Sequence, residues 1–163
     1  MKCLLDTNIF IEAFKGNKQA TEILDLLVEY SDSVKAYIPF NVLEEIAFLL
    51  IKVLSQEHYW NLKKDKAKVI KAFKEAKPYL EFVLELCGLL FPNKGSLEKT
   101  FYYIERYGLL PNDALVLASC KVYGIELLVS LDSDFSDIAA EEGIVLISSA
   151  QELKEWITRQ AGV

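Results

Sequence analysis

The chain has 163 residues, of which 52% are hydrophobic and 26% charged, and its formal charge is −6. That length suits one domain able to bury a real core, and the acidic balance excludes a surface that is basic all round while leaving room for a local basic patch. No apolar run approaches the roughly 18 residues that cross a bilayer, and no basic stretch followed by an apolar one marks a signal peptide, so no membrane contact is expected.

Cys3, Cys87 and Cys120 are far apart and set among apolar neighbours, with no C-x-x-C pair between them. They read as buried thiols in a reducing compartment, most simply the cytoplasm. His58 is the only histidine. That composition disfavours a histidine-rich zinc site and a Ser-His-Asp hydrolase.

In chain order, Met1 to Leu5 reads as a buried strand that ends on Asp6, and Ile9 to Phe14 as a short helix closed by Lys15-Gly16-Asn17. A helix over Thr21–Tyr30 and a strand over Val34–Ile38 follow. Asn41 is expected to cap a helix that runs to about Leu54. From Gln56 to Tyr107 no strand is expected: Trp60–Lys77 reads as one helix, Pro78 opens another to Cys87, and Ser96–Tyr107 is a third, ended by Gly108. This stretch, about 56–107, is expected to form a helical subdomain on an α/β body. Pro111-Asn112-Asp113 opens a buried helix stopped by Gly124. A strand over Glu126–Ser130, a short helix to Glu142, a strand over Ile144–Ile147 and a last helix to about Gln160 complete the chain. Strands alternating with helices imply a parallel sheet with right-handed crossovers.

The acids then fall into a pattern. Asp6 and Asp132 each follow a strand, so a parallel sheet sends both to its carboxyl edge. Asp113 lies in the first turn of a helix that feeds a strand, and Glu44 and Glu45 lie early in the helix after the second strand. Acids are favoured in first turns by the helix dipole, so each could be a cap alone. Together they form a candidate cluster. Four carboxylates at close quarters repel one another unless some take up protons or a cation joins them. An all-oxygen set without histidine or thiolate favours Mg²⁺ or Mn²⁺ over zinc, and the implied chemistry is metal-assisted attack of water on a phosphodiester. Two divalent ions would bring the net charge of −6 to about −2.

Leu5-Asp6-Thr7-Asn8, Ile38-Pro39-Phe40-Asn41-Val42-Leu43-Glu44-Glu45-Ile46, Leu110-Pro111-Asn112-Asp113-Ala114 and Val129-Ser130-Leu131-Asp132-Ser133-Asp134-Phe135 occur in that order. The chain resembles the PIN-domain ribonucleases, which include the toxin component of VapBC toxin–antitoxin systems. The resemblance covers essentially the whole chain. It implies a three-layer α/β/α sandwich on a central parallel sheet, and metal-binding acids at Asp6, Glu45, Asp113 and Asp132, with Asp134 as an additional acid. Asn8 and Ser130 match positions that support the site. It further implies Mg²⁺ or Mn²⁺ as cofactor, RNA as substrate, an antitoxin protein as a possible partner and a homodimer. On the helix both Glu44 and Glu45 lie well off the apolar stripe; the choice of Glu45 rests on the resemblance. Asp134 could share the ion or only cap the following helix.

Seven lysines lie between Lys63 and Lys77. If this is one helix, Lys64, Lys68 and Lys71 share a face that could hold phosphates without reading bases, or that is simply solvated. Tyr102, Tyr103, Arg106 and Tyr107 could stack on bases, or belong to the core or a dimer interface. Two other functions fit the same motifs: a catalytically idle PIN-like module that binds RNA or protein, and a structure-specific DNA nuclease.

Overall fold

The computed structural model describes residues 1–161. Strands β1 (Lys2–Leu5), β2 (Lys35–Pro39), β3 (Cys87–Leu90), β4 (Leu127–Val129) and β5 (Val145–Ile147) form one parallel sheet in the order β3-β2-β1-β4-β5. Helices α1 (Thr7–Phe14) and α2 (Lys18–Glu29) join β1 to β2. Helices α3 (Phe40–Ser55), α4 (Tyr59–Lys64) and α5 (Lys66–Leu86) join β2 to β3. The sheet then reverses direction: α6 (Lys94–Tyr107) and α7 (Pro111–Val122) carry the chain back across to β4, and α8 (Ser136–Glu141) leads to β5. The last helix is α9 (Ala150–Ala161).

Right-handed crossovers place connections that step in opposite directions on opposite faces. Helices α1 to α5 therefore cover one face and α6 to α8 the other, with α9 returning to pack on α2. The result is the three-layer α/β/α sandwich. Leu4, Leu5, Leu127, Leu128 and Val129 are buried on both sides, as central parallel strands require. Among the described residues no helix is long and apolar enough to cross a membrane.

Two features of the middle segment depart from expectation. First, β3 exists where no strand was expected. It is four residues long, contains Gly88 and follows α5 without a turn, so it carries no periodic signal. Gly88 pairs in register with Tyr37, and a Cβ there would stand 2.7 Å from the Tyr37 ring. The tyrosine lies where a side chain would go, which explains a glycine inside a strand. Second, the helix break falls at Asp65, whose side chain caps the Lys68 N–H, and α5 continues through Pro78. Pro78 sits on the solvent face, so the carbonyl it strands faces water. Buried Ala72, Ala76, Leu80 and Val83 hold the opposite face in place.

Candidate active site

The connection from β1 leads to β2 on one side and the connection from β4 leads to β5 on the other, which makes the β1/β4 boundary a topological switch point. Crevices at the carboxyl ends of strands at such points are where open α/β sheets bind ligands. Asp6 directly follows β1 there, and Ser130 and Asp132 follow β4. The Asp6 N–H donates to the Val129 carbonyl at 3.0 Å and the Ser130 N–H to the Ile147 carbonyl at 3.0 Å, so the sheet ladder itself fixes both backbones.

Asp6 is buried. Its Oδ1 accepts from the Thr7 N–H at 2.7 Å, and its Oδ2 accepts from the Ser130 hydroxyl at 2.7 Å and from Asn8 Nδ2 at 3.0 Å. Asn8 ties the two chain segments together: Nδ2 also donates to Ser130 Oγ at 3.0 Å, and Oδ1 accepts from the Leu131 N–H at 3.0 Å. Ser130 Oγ in turn accepts from the Asp132 N–H at 3.1 Å. The supporting positions Asn8 and Ser130 thus hold Asp6 and the loop bearing Asp132 as one unit.

Glu45 and Asp113 lie within electrostatic reach of Asp6. Thr7 is buried, and its hydroxyl donates to Glu45 Oε2 at 2.6 Å, turning that carboxylate toward β1. Glu45 is half-buried whereas Glu44 is exposed, so the structure separates two residues that helical geometry left equivalent. Burial pushes the Asp6 carboxyl up to about 6, and the charges of Asp113 and Glu45 add to the rise while Ser130 and Thr7 oppose it. Asp113 is raised as well, by burial first and then by Asp132, Glu45 and Asp134. Each acid lies within the electrostatic reach of its neighbours. Asp132 Oδ1 caps the 3₁₀ turn over Ser133–Phe135 by accepting from the Asp134 N–H at 2.9 Å, and Asp134 itself is exposed.

In chemistry this set fits a hard divalent cation: oxygen donors only, in a cluster whose charges disfavour one another. In geometry it is not a closed cage. Among the described residues no three acids, cysteines or histidines stand together as ready ligands. The side chains account for this, since Glu45 rests on Thr7, Asp6 on Ser130 and Asn8, and Asp132 on its own turn. Each of these three carboxylates accepts from a protein donor.

Residues 3–141 match the family model of the PIN domain. The chain belongs to the PIN domain family. It is 27% identical over 140 residues to ribonuclease VapC2 of Methanocaldococcus jannaschii, covering 84% of this chain and 89% of that one. Among solved structures, VapBC2 from Rickettsia felis bound to a DNA fragment from their promoter superposes with a TM-score of 0.61 at 18% identity, over 90% of this chain and 98% of that one. A toxin–antitoxin complex from Klebsiella pneumoniae gives 0.58 at 20% identity, over 88% and 95%. At those identities the structures speak for the fold. The PIN fold, expected from the motifs, is the fold observed.

The lysines are not brought to the acids of this PIN domain. Lys64 is in α4 while Lys68 and Lys71 are in α5, so the single face they would share is broken at Asp65. Lys68 is paired with Glu57. Lys68 and Lys71 flank a groove with Leu54 and Ser55, nine residues or about 14 Å along α3 from Glu45. Tyr103 is buried and so not available for stacking, and both it and the half-buried Tyr107 are tied by their hydroxyls to Glu142 at 2.8 Å.

One feature escaped the sequence altogether. Asn41 does not cap α3, whose N-cap is Pro39; it lies four residues before Glu45, on the same face, and both poles of its amide are buried without a partner. Unmet buried groups cost about 1–3 kcal/mol each. Asn41→Leu, of similar volume, is expected to leave the melting temperature unchanged or higher. A loss of several degrees would show that the amide has a partner.

Proposed function

We propose that this chain is a Mg²⁺- or Mn²⁺-dependent endoribonuclease that hydrolyses RNA phosphodiester bonds with water, acting as the toxin of a toxin–antitoxin pair. The observation that carries the reading is Asp6: a buried carboxylate at the switch point, pushed up to about 6 by burial and by the charges of Asp113 and Glu45, and held by Ser130 and Asn8. Such a group is suited to a cation. Asp6, Glu45, Asp113 and Asp132 would hold the ion, with Asp134 as a further acid at the rim. The ion supplies a Lewis acid for a phosphoryl oxygen and lowers the pKa of water.

The chain's own residues prepare that event. Asn8 and Ser130 keep Asp6 in one orientation, and Thr7 aims Glu45 toward it. Lys64, Lys68 and Lys71, remote from the acids, would bind phosphates well beyond the scissile one. The ribonuclease name of the Methanocaldococcus relative and the toxin–antitoxin title of the Klebsiella structure support the activity and the antitoxin partner. Residues 1–163 are read as one PIN-like domain working as a homodimer, in which the stretch 56–107 supplies helices and the edge strand β3 of the central sheet. Burial pushes Cys3 and Cys120 up to about 12, which leaves them inert and accords with a cytoplasmic protein.

The test is single-stranded RNA incubated with the protein in chelator, then with Mg²⁺ or Mn²⁺ restored. Cleavage is expected only with the ion. Equal cleavage in chelator, or none in either condition, overturns the reading.

A further inference from the structure

Two exposed phenylalanines stand at the same sheet edge as the acids. Pro39 and Leu90 are register partners at the ends of β2 and β3, and Phe40 and Phe91 are the residues that follow them. Their rings stack with centroids 5.7 Å apart and planes 23° from parallel. They are nevertheless 37% and 59% exposed. With strands about 4.8 Å apart, the two residues lie about one and two strand spacings from Asp6, which directly follows β1. Leu110, 71% exposed, directly precedes the helix that carries Asp113.

The pair is also held in place. Phe40 is the first residue of α3, and the carbonyl of Phe91 accepts from the Tyr123 hydroxyl at 2.5 Å, with Pro92 next in the chain. Rigid aromatics lose little freedom on binding. The surroundings determine what they can bind. The acids of the edge repel phosphate, the cation nearest in the chain, Lys94 three residues after Phe91, is paired with Glu98, and the lysines of α4 and α5 lie elsewhere. A nucleic acid approaching this edge must be gripped by its bases, and a base offers its face only when unpaired. Trp60 is more exposed, but it sits on α4 with Lys63 over its ring, beyond the far end of α3.

We propose that Phe40 and Phe91 form a stacking platform for an unpaired base of single-stranded RNA beside the scissile phosphate, with Leu110 as an apolar flank. The proposal rests on the nuclease reading above, and it restricts the substrate to unpaired RNA at the cut. A duplex would keep its bases turned inward and leave the platform empty.

The experiment measures binding of a single-stranded RNA oligonucleotide carrying 2-aminopurine, in chelator, so that no cleavage is needed. The wild type is expected to shift the fluorescence, and Phe40→Leu/Phe91→Leu to bind about 5- to 100-fold more weakly. Leucine keeps the apolar area and removes only the ring. Phe91→Trp is expected to restore binding, and annealing a complementary strand to abolish the difference between variants. With Mn²⁺ present, the leucine variants raise KM while kcat stays within about twofold. Equal affinity of wild type and leucine variants overturns the platform even if cleavage is intact, and so does the absence of any fluorescence shift. If the leucine variants keep RNA affinity but lose self-association, the pair belongs to a protein interface and the proposal falls. Absence of ion-dependent cleavage would instead remove the nuclease reading.

Discussion

Asp6→Asn is expected to lower ion-supported RNA cleavage by at least about 100-fold. The lower bound follows from positions that merely orient metal ligands, where substitution costs 10- to 100-fold; a carboxylate that holds the ion directly costs more. Asparagine preserves the shape of the side chain and an oxygen for the Thr7 N–H, but removes the charge and one acceptor of the Ser130–Asn8 pair. The effect is therefore one of charge and coordination, not of folding. Glu44→Gln is the matched control, because Glu44 is exposed on the helix that presents Glu45, and its rate is expected to stay within about twofold of wild type. Initial rates on one RNA at saturating Mn²⁺ settle the comparison. An Asp6→Asn protein that is folded by circular dichroism and cuts at the wild-type rate would remove Asp6 from the chemistry.

The same substitution should stabilise the ion-free protein at neutral pH. The Asp6 carboxyl is raised from 3.8 to about 6 in the fold. Between those values the folded state holds more protons than the unfolded one, so stability is full below about pH 4 and is lost as pH rises through about 6. A shift of this size corresponds to on the order of 3 kcal/mol, an upper bound because neighbours relax. The rise at Asp113 has the same sign. In chelator, wild type is thus expected to melt lower at pH 7.5 than at pH 4.5 by more than Asp6→Asn does, and Asp6→Asn to melt higher than wild type at pH 7.5. A divalent ion offsets that difference: at a hundred times its Kd it adds about 2.7 kcal/mol to whichever protein binds it. Thermal denaturation at the two pH values, with chelator and with Mn²⁺, reads all of these. Parallel pH profiles for the two proteins would contradict the account of Asp6.

The carboxyl edge was legible in the sequence because each acid follows a recognisable signal: a short apolar run before Asp6, a proline-opened helix at Asp113, a strand before Asp132. Parallel pairing turns those separate local signals into one place. What was not legible depends on tertiary partners. β3 is stabilised by Tyr37 lying over Gly88, a cross-strand contact with no trace in the local pattern. Pro78 reads as a helix start until α3 is known to hold the opposite face of α5. Glu44 and Glu45 are equivalent on a wheel and become distinct only through Thr7, thirty-eight residues away. Phe40 and Phe91 are isolated aromatics in the sequence and a stacked pair only in the sheet.

In the proposed function, hydrolysis depends on one divalent-ion site formed by acids from the end of β1, from α3, from α7 and from the loop after β4. The most direct measurement is Mn²⁺ binding by wild type and Asp113→Asn, followed calorimetrically, alongside the dependence of RNA cleavage on Mn²⁺ concentration. Wild type is expected to bind the ion with a midpoint matching that of cleavage, and Asp113→Asn to lose at least about tenfold in both. Cleavage that saturates without ion binding, or Mn²⁺ affinity untouched by Asp113→Asn, would contradict it.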